Sequence, residues 1–185
     1  MRSAVFLDRD GVINRKAPEG QYITRWQDFE FLPKVGEAIQ LINGAGLSVI
    51  VVSNQRCVAK GLITIEELEA IHRRMLDQLV AVSARIDAVY YCPHDDKPPC
   101  PCRKPAAGML LQAALDHSID LSRSWMVGDS DIDVEAGKKA GCRTARILRP
   151  GASKQVAAAD LTAESLYEAT RKIVSVIAPA SPAKE

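Results

Sequence analysis

Two carboxylates near the start of the chain, Asp8 and Asp10, have a type and spacing suited to chemistry. They follow the apolar run Ala4–Leu7, which predicts a buried strand, and alternation along a strand lets acids two residues apart point the same way. Gly11 then permits a sharp exit from the strand. Because carboxylates this close repel each other unless a cation or a proton lies between them, the pair predicts a metal site, an acid–base pair, or both.

A third acid, Asp129, comes two residues after another short apolar run, Trp125–Val127. Open α/β folds bind ligands where their parallel strands end, so Asp129 can complete an oxygen-rich Mg²⁺ site with the first two acids. Asp131 and Asp133 come next, at the start of a predicted helix, where acids also favour the helix dipole. We expect Asp131 to have only that role, and the pattern leaves the role of Asp133 open.

Three cysteines and a histidine lie within eleven residues, in the order Cys92, His94, Cys100 and Cys102. Thiolates and imidazole nitrogen are the ligands that tetrahedral zinc prefers, and prolines between the two pairs reduce the freedom lost when a metal closes the loop. Cysteine favours burial, so three free thiols on a polar, proline-rich loop are the poorer interpretation. Because all four ligands would come from the protein, the pattern predicts a structural zinc site.

Donors for an anion follow the second predicted strand and the zinc loop. Ser53, Asn54 and Gln55 offer a hydroxyl and backbone N–H groups that suit a phosphate oxygen, although such residues also end strands for turn chemistry. Arg103 and Lys104 come directly after the last cysteine of the loop. They can neutralise a phosphate, with arginine as a fork and lysine as a point charge, although a basic pair before a helix can also be merely solvated.

The composition narrows the class of protein. A chain of 185 residues, 47% hydrophobic, suits one domain, which we assign to residues 1–178 with a flexible tail over 179–185. The net charge of +1 gives no field for a polyanion, so nucleic acid is not an expected partner. No apolar run is long enough to span a membrane, the start lacks a signal-peptide pattern, and the five cysteines are an odd number. We therefore expect a cytoplasmic protein without disulfides or membrane contact.

Apolar runs and helical stretches alternate along the chain, which predicts a parallel sheet covered by helices on both faces. The predicted strands are Ala4–Leu7, Ser48–Val52, Ala88–Tyr91, Trp125–Val127, Thr144–Leu148 and Ala159–Ala163. The predicted helices are Lys34–Asn43, Ile65–Val82, Gly108–Asp116, Asp131–Lys139 and Leu166–Ile177. The expected fold is a three-layer α/β/α, Rossmann-like domain. On its longest helix His72 should face solvent, and Trp26, Phe29 and Phe31 should form a packed cluster.

Together these residues resemble the haloacid dehalogenase-like phosphatases. That family has an Asp-x-Asp-Gly motif, a Ser or Thr after the second strand, a lysine and a Gly-Asp-x-x-x-Asp motif, in this order. The matching residues are Asp8, Asp10, Gly11, Ser53, Lys104, Gly128, Asp129 and Asp133. Each motif alone is weak, whereas the ordered set is specific and covers nearly the whole chain. The segments between the motifs are too short for a helical cap domain, so we expect a capless site.

The resemblance implies roles for these positions. Asp8 would be the nucleophile that attacks phosphorus and becomes an aspartyl-phosphate, and Asp10 would be the acid and base. Mg²⁺ would be held by Asp8, the backbone carbonyl of Asp10, and Asp129. Ser53 and Lys104 would stabilise charge on the transferring group, as phosphoryl transfer requires. The substrate would be a small phosphorylated metabolite, and Arg103 would contact it beyond the phosphate.

Two branches of the family are especially similar, because both carry a zinc loop followed by Cys-Arg-Lys-Pro, here residues 102–105. They are the D-glycero-D-manno-heptose-1,7-bisphosphate 7-phosphatases and the histidinol-phosphate phosphatases. Residues 8–14 and the Tyr-Cys-Pro-His run at 91–94 look more like the heptose branch, whereas the short spacing from His94 to Cys100 looks more like the histidinol branch. The expected reaction is hydrolysis of the heptose 7-phosphate, with histidinol phosphate as the alternative substrate.

Two positions depart from the heptose branch. Arg56 stands where small residues are usual, and Ser130 stands where a basic residue often follows the acidic motif. We hypothesise that Arg56 supplies a phosphate-binding charge that Ser130 lacks. Two other functions are less favoured: a 3′-phosphatase for nucleic-acid ends would need a basic groove, and a non-catalytic, zinc-stabilised interaction module would not need both N-terminal acids. The expected partner is a sugar phosphate, and the expected state is a monomer.

Overall fold

The computed structural model describes residues 1–148 and 158–177, and strands alternate with helices over residues 4–147. The strands are β1 (Ala4–Leu7), β2 (Ser48–Asn54), β3 (Ala88–Cys92), β4 (Trp125–Gly128), β5 (Arg143–Ile147) and β6 (Leu161–Ala163). The helices are α1 (Val35–Gly44), α2 (Ile65–Ala81), α3 (Gly108–His117), α4 (Asp131–Ala140) and α5 (Leu166–Ile177). The predicted tail at 179–185 lies outside the described residues.

All six strands are parallel and form one sheet in the order β3-β2-β1-β4-β5-β6. Side chains of β1 alternate between two hydrophobic clusters: Val5 and Leu7 pack with α1, α2 and α5, whereas Ala4 and Phe6 pack with α3 and α4. Burial on both faces explains why the strands are apolar runs without polar alternation. The predicted three-layer α/β/α architecture is confirmed.

The order in which strands are added to the sheet reverses at β1: β2 and β3 lie on one side of it, and β4, β5 and β6 lie on the other. In such sheets the crevice outside the carboxyl ends of the strands, at this reversal, is the place where ligands bind. Within residues 1–148, the connection from β1 to β2 contains a short 3₁₀ turn and α1, and the connection from β2 to β3 contains α2. No inserted helical domain covers the crevice there, as expected for a capless site.

The strand and helix bounds differ from the predicted ones by at most two residues, and one difference matters for the site. β2 continues to Asn54, because Ser53 and Asn54 pair with Tyr91 and Cys92 of β3. The aromatic cluster is confirmed, with the Trp26 and Phe29 rings stacked 4.9 Å apart. Among the described residues, none of the helices combines the length and apolar character that a membrane crossing requires.

Candidate active site

Three acids from two neighbouring strand ends meet at the carboxyl edge of the sheet. Leu7 of β1 and Val127 of β4 are paired in register, so Asp8 follows beside Gly128, and Asp129 is the next residue of that neighbouring chain segment. Asp133 joins them from the first turn of α4, and carboxylate oxygens of these three acids lie within 4.8 Å of one another. Asp8 and Asp133 are buried. Asp8 and Asp129 meet as predicted, but the third carboxylate of the cluster comes from Asp133 and not from Asp10.

Lys104 places its ammonium group between two of these acids. Its Nζ lies 2.8 Å from Asp8 Oδ1 and 2.7 Å from Asp133 Oδ1, and it donates to the Val52 carbonyl at 2.8 Å. Burial acts to lower the pKa of Lys104, but the carboxylates of Asp133 and Asp8 outweigh it and raise that pKa. The lysine is therefore charged. Asp133 consequently does more than favour the helix dipole, because it also fixes this cation.

The approach of Asp133 to the strand end depends on Gly128. A Cβ atom at residue 128 would lie 2.1 Å from Cβ of Asp133 and 2.5 Å from its Oδ2, which no side chain can tolerate. The same carboxylate accepts a hydrogen bond from the Ser130 backbone N–H at 3.1 Å, completing a capping box at the start of α4. The glycine that precedes Asp129 is thus required by packing.

Asp10 is held in place by four hydrogen bonds from three side chains. Arg9 donates to both carboxylate oxygens at 2.9 and 3.0 Å, and Asn14 and Gln55 each donate at 2.9 Å. Burial acts to raise the pKa of Asp10, but Arg9 and these donors lower it overall. Sequence reasoning identified Asp10 and Gln55 and missed Arg9 and Asn14. Their only visible signal was a charged residue and an amide inside the acidic motif.

His72 is buried, so the prediction that it faces solvent was wrong. Its side chain lies behind the site, where Nε2 is 3.1 Å from an Nη of the fully buried Arg9. Burial and the neighbouring guanidinium lower the pKa of His72 to about 3. The neutral ring therefore accepts a hydrogen bond from Arg9 through Nε2. The polar pattern of α2 concealed this contact, because the partner is 63 positions away in the chain.

The donors at the end of β2 have three different positions. Ser53 is buried, and its hydroxyl accepts a hydrogen bond from Gln55 Nε2 at 2.8 Å. Asn54 forms two hydrogen bonds of 3.0 Å with the backbone N–H and carbonyl of Lys104. Asn54 and Gln55 line a cavity of about 320 Å³ in front of Asp8 and Asp10, together with Arg103 and Lys104. The predicted phosphate donors thus surround the acids, with Ser53 behind the cavity wall.

Arg56 does not line this cavity, which corrects the hypothesis that it supplies a phosphate-binding charge. Its guanidinium pairs with two acids of the zinc loop, Asp95 at 2.5 Å and Asp96 at 2.7 Å. Arg103 pairs with the other oxygen of Asp96 at 2.6 Å and does line the cavity. Arg56 is therefore joined to the site only through the loop that it braces.

The opposite wall of the cavity is the segment of residues 16–23. At its start, Lys16 Nζ lies 3.3 and 3.4 Å from the two carboxylate oxygens of Asp129. The Lys16 side chain is 49% exposed, whereas that of Asp129 is only 5% exposed. Glu19 and Tyr22 also line this wall. A loop that the sequence motifs do not include therefore shapes half of the site.

The cluster of Asp8, Asp129 and Asp133 fits a hard divalent cation. All three residues offer carboxylate oxygens, the ligands that Mg²⁺ prefers. Burial and the neighbouring acids raise the pKa of Asp8 to about 7, although Lys104 opposes them. The cluster thus holds more negative charge than its lysine neutralises, and a divalent cation would remove that excess.

The four zinc-loop residues fit a tetrahedral metal. Cys92 Sγ lies 3.5 Å from His94 Nδ1, 3.5 Å from Cys100 Sγ and 3.1 Å from Cys102 Sγ. Cys102 Sγ lies 3.4 Å from Cys100 Sγ and 3.2 Å from His94 Nδ1. These lengths are the edges of a tetrahedron whose centre lies about 2 Å from each ligand, close to zinc bond lengths. The predicted ligand set is brought together as one group.

Comparisons with known proteins agree with this geometry. A family model described as HAD-hydrolase-like matches residues 101–169. The D-glycero-D-manno-heptose-1,7-bisphosphate 7-phosphatase of Thermosynechococcus vestitus is 38% identical over 96% of this chain and 98% of its own length. The D-glycero-beta-D-manno-heptose-1,7-bisphosphate 7-phosphatase of Rhodopseudomonas palustris is 41% identical over 76% of this chain and 80% of its own.

A solved structure is also similar over nearly the full length. The D,D-heptose 1,7-bisphosphate phosphatase from B. bronchiseptica, complexed with magnesium and phosphate, matches with a TM-score of 0.86 and 29% identity. The match covers 94% of this chain and 99% of that structure. The chain therefore belongs to the haloacid dehalogenase-like hydrolases and, within them, to the family of the heptose-bisphosphate phosphatases.

Proposed function

We propose that this protein is a Mg²⁺-dependent phosphatase that removes the 7-phosphate of D-glycero-D-manno-heptose 1,7-bisphosphate through an aspartyl-phosphate intermediate. The observation that carries the proposal is the shared cavity of Asp8 and Asp10, with Lys104 Nζ 2.8 Å from the Asp8 carboxylate. The relatives named for this reaction match over most of both chains. The matched solved structure contains magnesium and phosphate.

Asp8 is the proposed nucleophile. It attacks phosphorus, and the bond to the leaving sugar oxygen breaks as the aspartyl-phosphate forms. Lys104 compensates negative charge on the transferring group, and Asn54, Gln55 and Arg103 line the cavity around it. Ser53 supports the donor set through its hydrogen bond with Gln55. Asp133 has the separate task of keeping Lys104 directed at Asp8.

Asp10 is the proposed proton shuttle. It donates a proton to the leaving oxygen and later accepts one from the water that hydrolyses the intermediate. The hydrogen bonds from Arg9, Asn14 and Gln55 fix the position of Asp10 and lower its pKa, which favours the carboxylate that later activates water; for the first step this carboxylate must take up a proton as the substrate binds. The proton comes off before water attacks, so one carboxyl serves both steps.

Mg²⁺ would be held by Asp8, Asp129 and the backbone carbonyl of Asp10, and it would supply positive charge to the phosphate oxygens. Zinc would be held by Cys92, His94, Cys100 and Cys102, and would stabilise the loop that carries Arg103 and Lys104. Elemental analysis of purified protein should find about one zinc per chain, as a single four-ligand site requires. Protein that is folded and active without zinc would contradict this part of the proposal.

We also propose that the protein is a monomer, that it is located in the cytoplasm, and that the molecule it binds is a small sugar phosphate. The open cavity of about 320 Å³ accepts a small metabolite without the movement of a cap. The formal net charge of +1 offers no general attraction to nucleic acid or to an anionic membrane. Sedimentation at the mass of one chain is the expected result, and a stable dimer would contradict the monomer.

A second candidate substrate, histidinol phosphate, is favoured by the short spacing between His94 and Cys100. Side-by-side measurements of kcat/KM with the heptose bisphosphate, histidinol phosphate and an oligonucleotide 3′-phosphate separate the candidates. We expect the heptose bisphosphate to be preferred by at least about tenfold, and its two anomers should be assayed separately. Preference for histidinol phosphate would transfer the substrate assignment, and a lack of any Mg²⁺-dependent turnover would favour a non-catalytic module.

A further inference from the structure

Lys16 is the exposed cation of the active-site cavity. The ammonium of Lys104 is enclosed, with 1% of that side chain exposed, whereas 49% of the Lys16 side chain is exposed at the start of the 16–23 segment. Its ion pair with Asp129 has Nζ–Oδ distances of 3.3 and 3.4 Å, longer than the 2.7 and 2.8 Å contacts of Lys104. Because the lysine end of this pair is half exposed and its contacts are long, Lys16 can exchange its partner at small cost.

The carboxylate oxygens of Asp129 that pair with Lys16 are also candidate ligands of a metal ion, because Asp129 belongs to the acidic cluster that fits a divalent cation. A doubly charged ion bound at about 2.1 Å attracts the carboxylate more strongly than an ammonium group at 3.3 Å, and it also repels that ammonium. Lys16 and a metal ion therefore compete for Asp129. When the metal is bound, Lys16 must find another anion.

The cavity offers a place for that anion. The reacting phosphate belongs at Asp8 and Lys104, so a second phosphate on the same substrate must lie farther out, toward the cavity mouth. Two cations line the cavity there: Arg103, which is already paired with Asp96 at 2.6 Å, and Lys16 on the facing wall. Ser130, next to Asp129, also lines the cavity and carries no charge.

We propose that Lys16 is a specificity-determining residue that releases Asp129 to the metal and binds the second, non-reacting phosphate of a bisphosphate substrate. This inference rests on the proposed function for its substrate class. It assigns to Lys16 a role for which the sequence motifs give no signal. Metal binding and substrate choice are coupled, because the Lys16 ammonium group pairs with Asp129 when the metal is absent and with the second phosphate when the metal is bound.

The test compares Lys16→Met with Lys172→Met. Methionine keeps much of the apolar stem and removes the charge. Lys172 is a matched control, because it is 44% exposed and forms a comparable ion pair with Glu168 on α5, far from the cavity. For each protein, kcat/KM is measured with the heptose 1,7-bisphosphate and with the same sugar carrying only the 7-phosphate. Mg²⁺ affinity without substrate is measured by titration calorimetry.

For Lys16→Met we expect kcat/KM for the bisphosphate to fall about tenfold while the value for the monophosphate changes less than twofold. We also expect Mg²⁺ to bind about fivefold more tightly, because a competing cation is gone. Lys172→Met should match the wild type in all three measurements. Equal changes for both substrates, or unchanged or weaker Mg²⁺ binding in Lys16→Met, would overturn the inference. Absence of wild-type turnover of the bisphosphate would instead overturn the proposed function, and the Mg²⁺ titration would still decide whether Lys16 competes for Asp129.

Discussion

At the scale of single residues, the site concentrates charge that the fold would not otherwise bury. Asp8 and Asp133 share one ammonium group from Lys104, and all three side chains are nearly excluded from solvent. Taking charges out of water is costly, and each partner is tolerated because the others are present. The raised pKa of Asp8, about 7, is the measurable sign of this cost. The metal-free site is therefore less stable than a neutral one would be.

Asp8→Asn should abolish turnover and, in the absence of Mg²⁺, make the fold more stable. An acid whose pKa is raised in the folded state destabilises the fold once pH exceeds the unfolded value near 4, so its removal should add about 1 kcal/mol or more at pH 8, roughly 2–4 °C in Tm. The amide oxygen can still accept from Lys104. Thermal unfolding in metal-free buffer and a phosphate-release assay check both halves. Substantial turnover would rule out Asp8 as the nucleophile, and a lower Tm would contradict the charge argument.

His72 should make the fold sensitive to acid. Its pKa is about 3 in the folded protein against 6.5 ordinarily, so below pH 6.5 the unfolded chain binds a proton that the folded chain does not. The His72 contribution to stability is therefore lost as pH falls, by up to about 1.4 kcal/mol per pH unit. His72→Gln keeps an acceptor for Arg9 and does not titrate. Urea unfolding at pH 7 and pH 5 should show a smaller loss in this variant, and equal losses would show that His72 does not titrate as described.

At the scale of elements, the catalytic groups are positioned by strand ends and by clasps, here meaning two hydrogen bonds from one asparagine side chain to the backbone N–H and carbonyl of another residue. Asn54, the last residue of β2, holds the backbone of Lys104 by two hydrogen bonds. Asn43 on α1 forms the same kind of clasp with the backbone of Arg85, at 3.0 and 2.8 Å, and does not line the cavity. Asn54 and Asn43 thus hold backbone segments in the same way, and only the Asn54 contact lies at the active site.

Replacing each asparagine by alanine separates stability from catalysis. Either change leaves a backbone N–H and a carbonyl without their partner, which should cost about 1–3 kcal/mol. Asn54→Ala should also lower kcat by about tenfold or more, because Lys104 is no longer fixed against Asp8. Asn43→Ala should keep its kcat. Chemical unfolding and steady-state kinetics on both variants test this, and an equal loss of kcat in the two would remove the positioning role from Asn54.

The elements themselves could be predicted because their signals are local. Apolar runs bounded by turns gave the strands, and the acids at two strand ends follow from their adjacency in the sheet. The side-chain pairings could not be predicted, because they join distant parts of the chain. His72 meets Arg9 across 63 positions, and Arg56 meets Asp95 and Asp96 because the zinc loop folds back beside β2. Periodicity and motif order contain no information about such contacts.

At the scale of the whole molecule, the sheet reversal at β1 brings the acidic strand ends, the zinc loop and the 16–23 segment to one edge. The rest of the described structure is a helix-covered sheet that holds this edge rigid. Metal binding at the edge should therefore be visible in the stability of the entire fold, because a ligand that binds only the folded state stabilises it by mass action.

Mg²⁺ should raise the Tm of the wild type. At a concentration of 100 times Kd, its binding adds about 2.7 kcal/mol to the free energy of unfolding. Asp129→Asn should lose most of this rise, because it removes a proposed ligand. Asp131→Asn is the control, since Asp131 is a half-exposed acid two residues after Asp129, at the start of α4, and pairs with Arg146. Thermal scans with and without Mg²⁺, in buffer without chelator so that zinc stays bound, distinguish them. An equal Mg²⁺ effect in both variants would place the ion elsewhere.

In the proposed mechanism Asp8, directly after β1, attacks phosphorus first, and water attacks only afterwards. The most direct measurement uses a substrate whose transferred group is a phosphorothioate made chiral with two oxygen isotopes. It is hydrolysed in water of the third isotope, and the configuration of the released thiophosphate is analysed. Two successive in-line displacements, first by Asp8 and then by water, each invert the phosphorus centre, so we expect net retention. Net inversion would mean a single attack by water and would rule out the aspartyl-phosphate intermediate.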